Sequence, residues 1–147
     1  VKELKPFVDK NYSTFPDASH TFMMGSSMGG LISMYAICEY PEIFGGAICM
    51  STHWPGIFAS ENNPIPLAFQ NYLKANLPNP KTHKIYFDFG TETLDKLYEP
   101  YQIKVDEIMK AKKFGKKNWQ TLKFEGEDHS EKSWAKRLSI PLAFMLK

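Results

Sequence analysis

One segment of the sequence has the spacing of a serine held at a sharp turn. It is Gly25-Ser26-Ser27-Met28-Gly29, which fits the pattern G-x-S-x-G. The apolar residues 21–24 predict a strand that enters the turn, and apolar residues at helical spacing from Leu31 onward predict a helix that leaves it. A strand–turn–helix context of this kind is typical of a nucleophilic serine, so Ser27 is the predicted nucleophile.

The neighbours of Ser27 have predicted roles of their own. The turn lifts the Ser27 hydroxyl clear of the sheet, and we expect Gly25 and Gly29 to be needed because side chains there would collide. The backbone N–H of Met28, at the start of the helix, is expected to point toward the oxyanion that develops on a bound carbonyl group. The sequence therefore predicts an oxyanion donor at Met28.

A serine hydroxyl is nucleophilic near neutral pH only beside a base, and the sequence offers four histidines. Sites in parallel α/β sheets form at the carboxyl ends of the strands, which excludes His20 and His83 because both precede predicted strands. His53 and His129 follow strands. In proteins with this kind of serine turn, the three catalytic residues follow one another in the chain order serine, acid, histidine. Only His129 leaves room for an acid between itself and Ser27. We predict His129 as the base and His53, with its neighbour Trp54, as pocket-lining residues.

The acid is expected in the loop that follows the third predicted strand, residues 84–89, and begins at Gly90. Glu92 and Asp95 both lie in this loop, and their spacing alone does not choose between them. Asp88 is still inside the strand, where its side chain is less free to reach an imidazole.

Strand-like and helix-like segments alternate along the chain. The predicted strands cover residues 21–24, 44–50, 84–89 and 119–124, and the predicted helices lie near residues 4–12, 31–38, 67–75, 100–109 and 134–145, the last bent at Pro141. This order predicts an α/β fold with a parallel sheet flanked by helices. We expect one partial domain over residues 1–147, with a proline-rich, pocket-forming excursion at about 51–80.

Composition excludes several classes of protein. The 147 residues are 43% hydrophobic and 23% charged, which is ordinary for a globular domain. The net charge is +2 and the lysines are scattered, so the basic stripe of a nucleic-acid-binding protein is missing, and no apolar run has the length of a membrane span. Cys38 and Cys49 lie in apolar segments and are predicted to be buried free thiols. The four histidines are too dispersed for a metal cluster, and no metal or cofactor is implied.

Four segments carry a resemblance to a known family: GSSMGG at 25–30, YPEIFGGAICMSTHW at 40–54, IYFDFGTETLDKLYEPYQ at 85–102 and FEGEDHSEKSWAKRL at 124–138. Together they resemble an esterase family of the α/β-hydrolase superfamily that includes enterochelin-type esterases, carbohydrate and feruloyl esterases, and mycolyltransferases. The resemblance covers nearly the whole chain. The family pattern G-T-x-x-L-D favours Asp95 as the acid. The pattern H-x-E-x-x-W-x-x-R supports His129 as the base and implies that Trp134 and Arg137 hold the last helix.

The resemblance implies a serine esterase that acts on a small carboxylic ester through an acyl-enzyme. Ser27 would attack the carbonyl carbon, His129 would transfer the proton, and Asp95 would orient the imidazole. Two alternatives stay open: acyl transfer to an alcohol by the same triad, and a non-catalytic domain that keeps only the fold.

The sharp turn at Ser27 resembles the nucleophile elbow of this family, and residues 21–24, which enter it, are here called the elbow strand. Members of the family carry several strands before the elbow strand, whereas here only about one helix precedes it. We therefore expect the chain to be a C-terminal portion whose sheet is completed by an upstream segment or by a second copy. The elbow strand would then lie at or near a sheet edge, which invites pairing. The isolated chain should be a poor esterase that self-associates or needs a partner segment.

Overall fold

A computed structural model describes residues 1–57 and 62–147 of the chain. In these residues four strands form one parallel sheet in the order β1-β2-β3-β4. The strands are β1 (Phe22–Ser26), β2 (Gly46–Met50), β3 (Lys84–Gly90) and β4 (Trp119–Phe124). The helices are α1 (Leu4–Asn11), α2 (Met28–Glu39), α3 (Ile65–Asn76), α4 (Glu99–Ala111), α5 (Glu131–Arg137) and α6 (Ser139–Leu146), with short 3₁₀ turns at Ala18–His20 and Asp95–Leu97. The predicted α/β class with a helix-flanked parallel sheet is confirmed.

Different helices cover the two faces of the sheet. Successive side chains of a strand point to opposite faces, and β2 shows the consequence. Ala47 and Cys49 pack in the larger core with α2, α3 and α4, whereas Ile48 and Met50 pack on the other face with α6. Because both faces are covered, every residue of β2 is buried. This explains why the strand is a continuous apolar run rather than an alternating one.

The C-terminal helical segment differs from its prediction. A single helix bent at Pro141 was expected, but α5 ends at Arg137 and α6 begins at Ser139. That prediction is wrong because the helix is interrupted before Pro141 instead of bending at it. Pro141 consequently lies in the first turn of α6, where a helix has no acceptor for a backbone N–H.

The elbow strand lies at an edge of the sheet, as predicted. Among the described residues β1 pairs with β2 alone, and Met24 in its middle is 50% exposed. That an upstream segment or a second copy covers this edge stays a prediction.

Cys38 and Cys49 lie in α2 and β2 as buried free thiols, as predicted. None of the helices within residues 1–57 and 62–147 has the length and hydropathy needed to cross a membrane.

A single residue, Ser27, connects β1 to α2, and its backbone has a positive φ of 57°. Gly25 allows this tight turn, because a Cβ there would fall against the backbone carbonyl of Gly29. A Cβ on Gly29 would meet no described atom within 4 Å. The expectation that both glycines are needed is therefore right for Gly25 and wrong for Gly29, whose missing side chain would point into open space.

The two glycines form a matched pair for mutagenesis. Gly25→Ala should destabilise the protein by about 1–3 kcal/mol or more, because backbone must move to admit the methyl group. Gly29→Ala should leave stability unchanged or raise it by up to about 1 kcal/mol, since alanine is the better helix former. Urea unfolding followed by circular dichroism measures both. Equal destabilisation by the two substitutions would contradict this account of the turn.

Candidate active site

Three loops at the carboxyl edge of the sheet bring Ser27, His129 and Asp95 together. Ser27 follows β1, Asp95 lies in the loop after β3, and His129 lies in the loop after β4. The His129 Nε2 atom is 2.9 Å from Ser27 Oγ, and His129 Nδ1 is 2.6 Å from Asp95 Oδ1. The sequence placed these residues 102 and 34 positions apart, and the parallel sheet makes them neighbours.

The backbone around Ser27 is held by hydrogen bonds to the neighbouring strand and its loop. The Ser27 N–H donates to the Met50 carbonyl at 2.9 Å, and the Ser27 carbonyl accepts the His53 N–H at 3.2 Å. The next residue, Met28, begins α2. Its N–H is among the first amides of the helix, which have no acceptor within the helix and lie at its positive end. Met28 therefore lies at the start of the helix, where the sequence predicts it, and its role as a donor to an anionic oxygen stays a prediction.

Asp95 is fully buried, and both oxygens of its carboxylate are occupied. Oδ2 accepts the Gly90 N–H at 2.6 Å and the Ser51 hydroxyl at 2.5 Å, while Oδ1 faces His129. Glu92, the alternative acid, is exposed, and its side chain makes no hydrogen bond to His129 in the described residues. Of the two candidates that spacing left open, the structure places Asp95 at the imidazole.

The His129 ring is fixed from several sides. Its backbone N–H donates to Thr93 Oγ1 at 2.9 Å, in the loop that also carries the acid. The rings of Trp134 and Tyr98 meet the imidazole edge-on, with centroids 5.0 Å and 5.7 Å away. Because a carboxylate only accepts, His129 Nδ1 carries the proton shared with Asp95. Nε2 is then free to accept the hydroxyl proton of Ser27.

A buried ion pair lies directly behind the acid. Arg137 Nη2 donates to Asp88 Oδ1 at 3.0 Å, and the two residues are 3% and 1% exposed. Burial raises the pKa of Asp88, and the guanidinium of Arg137 opposes that shift. Asp88 thus anchors α5, the helix that follows His129, which agrees with the expectation that its side chain is less free to reach an imidazole.

The two predicted pocket residues, Trp54 and His53, lie in different environments. Trp54 is 2% exposed and packs in the larger core, where its Nε1 donates to Gln102 Oε1 at 2.9 Å. Its assignment as a pocket-lining residue is wrong, because the indole points inward under α4. His53 is half-buried and stays beside the site, with Nδ1 2.7 Å from the Tyr98 hydroxyl. That hydroxyl is also 3.5 Å from His129 Nδ1, so Tyr98 links the two histidines.

The electrostatics of this link follow from burial. Burial lowers the pKa of His53 and the nearby His129 lowers it further, while the backbone of Ile57 opposes both effects. Burial likewise raises the pKa of the Tyr98 hydroxyl, which stays protonated. Two neutral side chains, His53 and Tyr98, therefore flank His129.

An apolar concavity of about 340 Å³ opens beside the elbow. Its lining includes Met28 and Ile32 of α2 on one side and Gly56, Ile65 and Phe69 of the predicted excursion on the other. Part of that excursion, residues 58–61, lies outside the described residues. Within the described residues, no three His, Cys, Asp or Glu side chains are grouped to hold a metal ion.

Sequence reasoning missed Ser51 and Tyr98. Ser51 is the first residue after β2, at the carboxyl edge where sites form, and this position was the available signal. Nothing in the sequence around Tyr98 marked it, because its two histidine contacts depend on the packing of α4 against the sheet.

Removing Arg137 should expose the cost of the buried Asp88 charge. Arg137→Met should lower the free energy of unfolding by about 3–5 kcal/mol, since it leaves a carboxylate buried without its partner. The deficit should shrink as the pH falls, because the raised pKa of Asp88 lets it bind a proton and lose its charge.

The neighbouring Lys136→Met is the matched control. Lys136 bonds Glu127 at the surface with a 56% exposed side chain, so its loss should barely change the melting temperature. Thermal melts of both variants between pH 4 and 8 measure the difference. A melting temperature for Arg137→Met that equals the control's at pH 7 would show that the buried pair contributes little.

Comparisons with solved structures support the fold. A ferulic acid esterase superposes with a TM-score of 0.74 at 19% identity, over 98% of this chain and 57% of the other. Enterochelin esterase from Shigella flexneri superposes with a TM-score of 0.73 at 22% identity, over 99% of this chain and 35% of the other. The chain thus spans between about a third and three-fifths of the length of these structures.

Sequence comparisons give a short match and a long one. The protein YbbA of Bacillus subtilis (strain 168), described as uncharacterized, is 42% identical over 40 residues, which are 27% of this chain and 16% of YbbA. The family model described as "Putative esterase" matches residues 1–144. Since that match covers almost the whole chain, the chain belongs to this esterase family of α/β proteins.

Proposed function

We propose that the protein hydrolyses carboxylic esters through an acyl-enzyme formed on Ser27. The observation that carries this proposal is the continuous relay from Ser27 Oγ to His129 Nε2 at 2.9 Å and from His129 Nδ1 to Asp95 Oδ1 at 2.6 Å. Nucleophile, base and orienting acid stand in hydrogen-bond reach of one another, as acyl transfer requires. Membership of the esterase family supports the same reaction.

In the acylation step, Ser27 Oγ bonds to the ester carbonyl carbon while its proton passes to His129 Nε2. The carbonyl oxygen becomes an oxyanion, and the Met28 N–H at the start of α2 is the proposed donor that stabilises it. When the intermediate collapses, the bond to the leaving oxygen breaks and His129 returns the proton to it. An alcohol departs, and the acyl group stays on Ser27.

Deacylation repeats these steps with water. His129 takes a proton from water as the water oxygen bonds to the acyl carbon. The bond between that carbon and Ser27 Oγ then breaks, and His129 returns the proton to Ser27 Oγ. The products are a carboxylic acid and the free enzyme. Asp95 stays ionised throughout and stabilises the imidazolium that forms twice in each cycle. The apolar concavity beside Met28 suits an apolar part of the ester.

Ser27→Ala in the full-length gene product should abolish turnover of p-nitrophenyl acetate and covalent labelling by a fluorophosphonate, because both need the activated hydroxyl. Adding His129→Ala should cost little more, since members of a triad act as a unit. Ser26→Ala, one residue away, is the control and should keep both activities. Near-native kcat in the Ser27 variant would rule out this residue as the nucleophile. Product analysis with a competing alcohol separates hydrolysis from acyl transfer.

The two acids of the loop give a second, independent test. Asp95→Asn should lower kcat by about three to four orders of magnitude, because the imidazole loses the partner that fixes its tautomer. Glu92→Gln should change kcat less than about twofold, since an exposed side chain away from the site contributes little. Side-by-side kinetics measure both variants. The reverse ranking would transfer the role of the acid to Glu92.

A further inference from the structure

Ser51 is a buried serine that the proposed chemistry does not use. It directly follows β2, is 0% exposed, and has a positive φ of 42°. Such a backbone conformation is unfavourable for a non-glycine residue and persists only where its surroundings enforce it. Two hydrogen bonds hold the Ser51 backbone in this conformation. The Ser51 N–H donates both to the Asp88 carbonyl at 2.8 Å and to Asp88 Oδ1 at 3.2 Å.

The direction of the Ser51 hydroxyl proton is determined by its neighbours. Trp134 Nε1 lies 2.9 Å from Ser51 Oγ, and Arg137 Nη2 lies 2.8 Å from it. Indole and guanidinium groups donate and do not accept, so the Ser51 oxygen accepts from both. The single proton of the hydroxyl is then left for Asp95 Oδ2, at 2.5 Å.

The Ser51 hydroxyl restricts the orientation of the Asp95 carboxylate. With Oδ2 held by Ser51 and by the Gly90 N–H, Oδ1 is the oxygen presented to His129. Arg137 Nη2 is only 3.9 Å from Asp95 Oδ2, and the Ser51 hydroxyl bonds to both. Without Ser51, the nearest buried cation would compete with His129 for the carboxylate.

We propose that Ser51 is a positioning residue, which holds Asp95 in the orientation that directs Oδ1 at the base. The inference rests on the proposed function and adds to it a residue that touches neither the substrate nor the base. Trp134 and Arg137 act through the same hydroxyl, and both belong to α5, the helix that begins two residues after His129. Ser51 thereby links the orientation of the Asp95 carboxylate to α5, the helix that directly follows the loop carrying His129.

The test compares Ser51→Ala, Ser51→Gly and Ser33→Ala in the full-length gene product, with p-nitrophenyl acetate as the substrate. Ser33 is a control of the same chemistry, because it is 0% exposed and its hydroxyl donates to the Gly29 carbonyl, away from the acid. Glycine tolerates a positive φ, so Ser51→Gly removes the hydroxyl and relieves the backbone strain together. Fluorophosphonate titration gives the concentration of competent sites, to which each kcat is referred.

We expect both Ser51 variants to lose about 10- to 100-fold in kcat with KM within about twofold, as for a reacting group displaced by a fraction of an ångström. Ser51→Gly should melt at a higher temperature than Ser51→Ala without recovering kcat, whereas a merely structural role would make kcat follow stability. The downfield proton resonance between His129 Nδ1 and Asp95 should shift in both variants, and Ser33→Ala should keep the wild-type kcat and resonance.

Two results would overturn the inference alone: a Ser51→Ala protein with wild-type kcat per titrated site, or recovery of kcat in Ser51→Gly in step with its stability. Failure of the proposed function has a different signature, which is a wild-type protein without Ser27-dependent turnover. In that case this inference fails with it. An unchanged proton resonance in a folded Ser51→Ala protein would also count against a positioning role.

Discussion

The buried carboxylate of Asp95 is the constraint on which the site depends. A charge removed from water is tolerable only when its oxygens are paired and hydrogen-bonded, and the donors here come from three places. Gly90 at the end of β3, Ser51 after β2 and His129 after β4 each supply one. Three segments must therefore meet around the Asp95 carboxylate to satisfy its charge. His129, the proposed base, lies at the same point.

Backbone strain collects at the same edge of the sheet. Ser27, Ser51 and Thr93 all have positive φ, and they follow β1, β2 and β3 in turn. Each such residue costs about 1–3 kcal/mol, which the hydrogen bonds of the loops must offset. The bonds exist in each case: Ser27 to Met50, Ser51 to Asp88, and the Thr93 side chain to the backbone of His129. The strain is thus concentrated where orientation matters most for the proposed reaction.

Much of this arrangement could be predicted from the sequence, because it depends on local patterns and chain order. The elbow follows from two glycines around a serine between apolar segments, and His129 follows from strand direction and the order of the triad. The choice between Asp95 and Glu92 could not be made from spacing, since it depends on which side chain the fold buries. The wrong assignment of Trp54 has the same origin: a residue after a strand can point into a pocket or back under a helix, and only packing decides.

Ser51 and Tyr98 illustrate a further limit. Each acts by joining groups that are distant in sequence, Ser51 across 86 residues to Arg137 and Tyr98 across 45 residues to His53. A hydroxyl has no sequence signature for such a role, because its partners are set by strand register and helix packing. Helix α5 carries a clearer signal, since Trp134 and Arg137 lie three residues apart and so face the same side of that helix.

Asp95, His129 and Ser27 differ in how deeply they are buried. The Asp95 side chain is 0% exposed and that of His129 is 11% exposed, while Ser27 is half-buried and its neighbour Met28 is 56% exposed. The acid needs no access to substrate, so full burial costs it nothing in function and gives its hydrogen bonds greater strength. As the proposed base, His129 must reach both the serine and a leaving group, and its partly exposed side chain lies at the boundary between core and surface. Ser27 is half-buried beside the exposed Met28, so the proposed proton relay runs from a fully buried carboxylate to a serine near the protein surface.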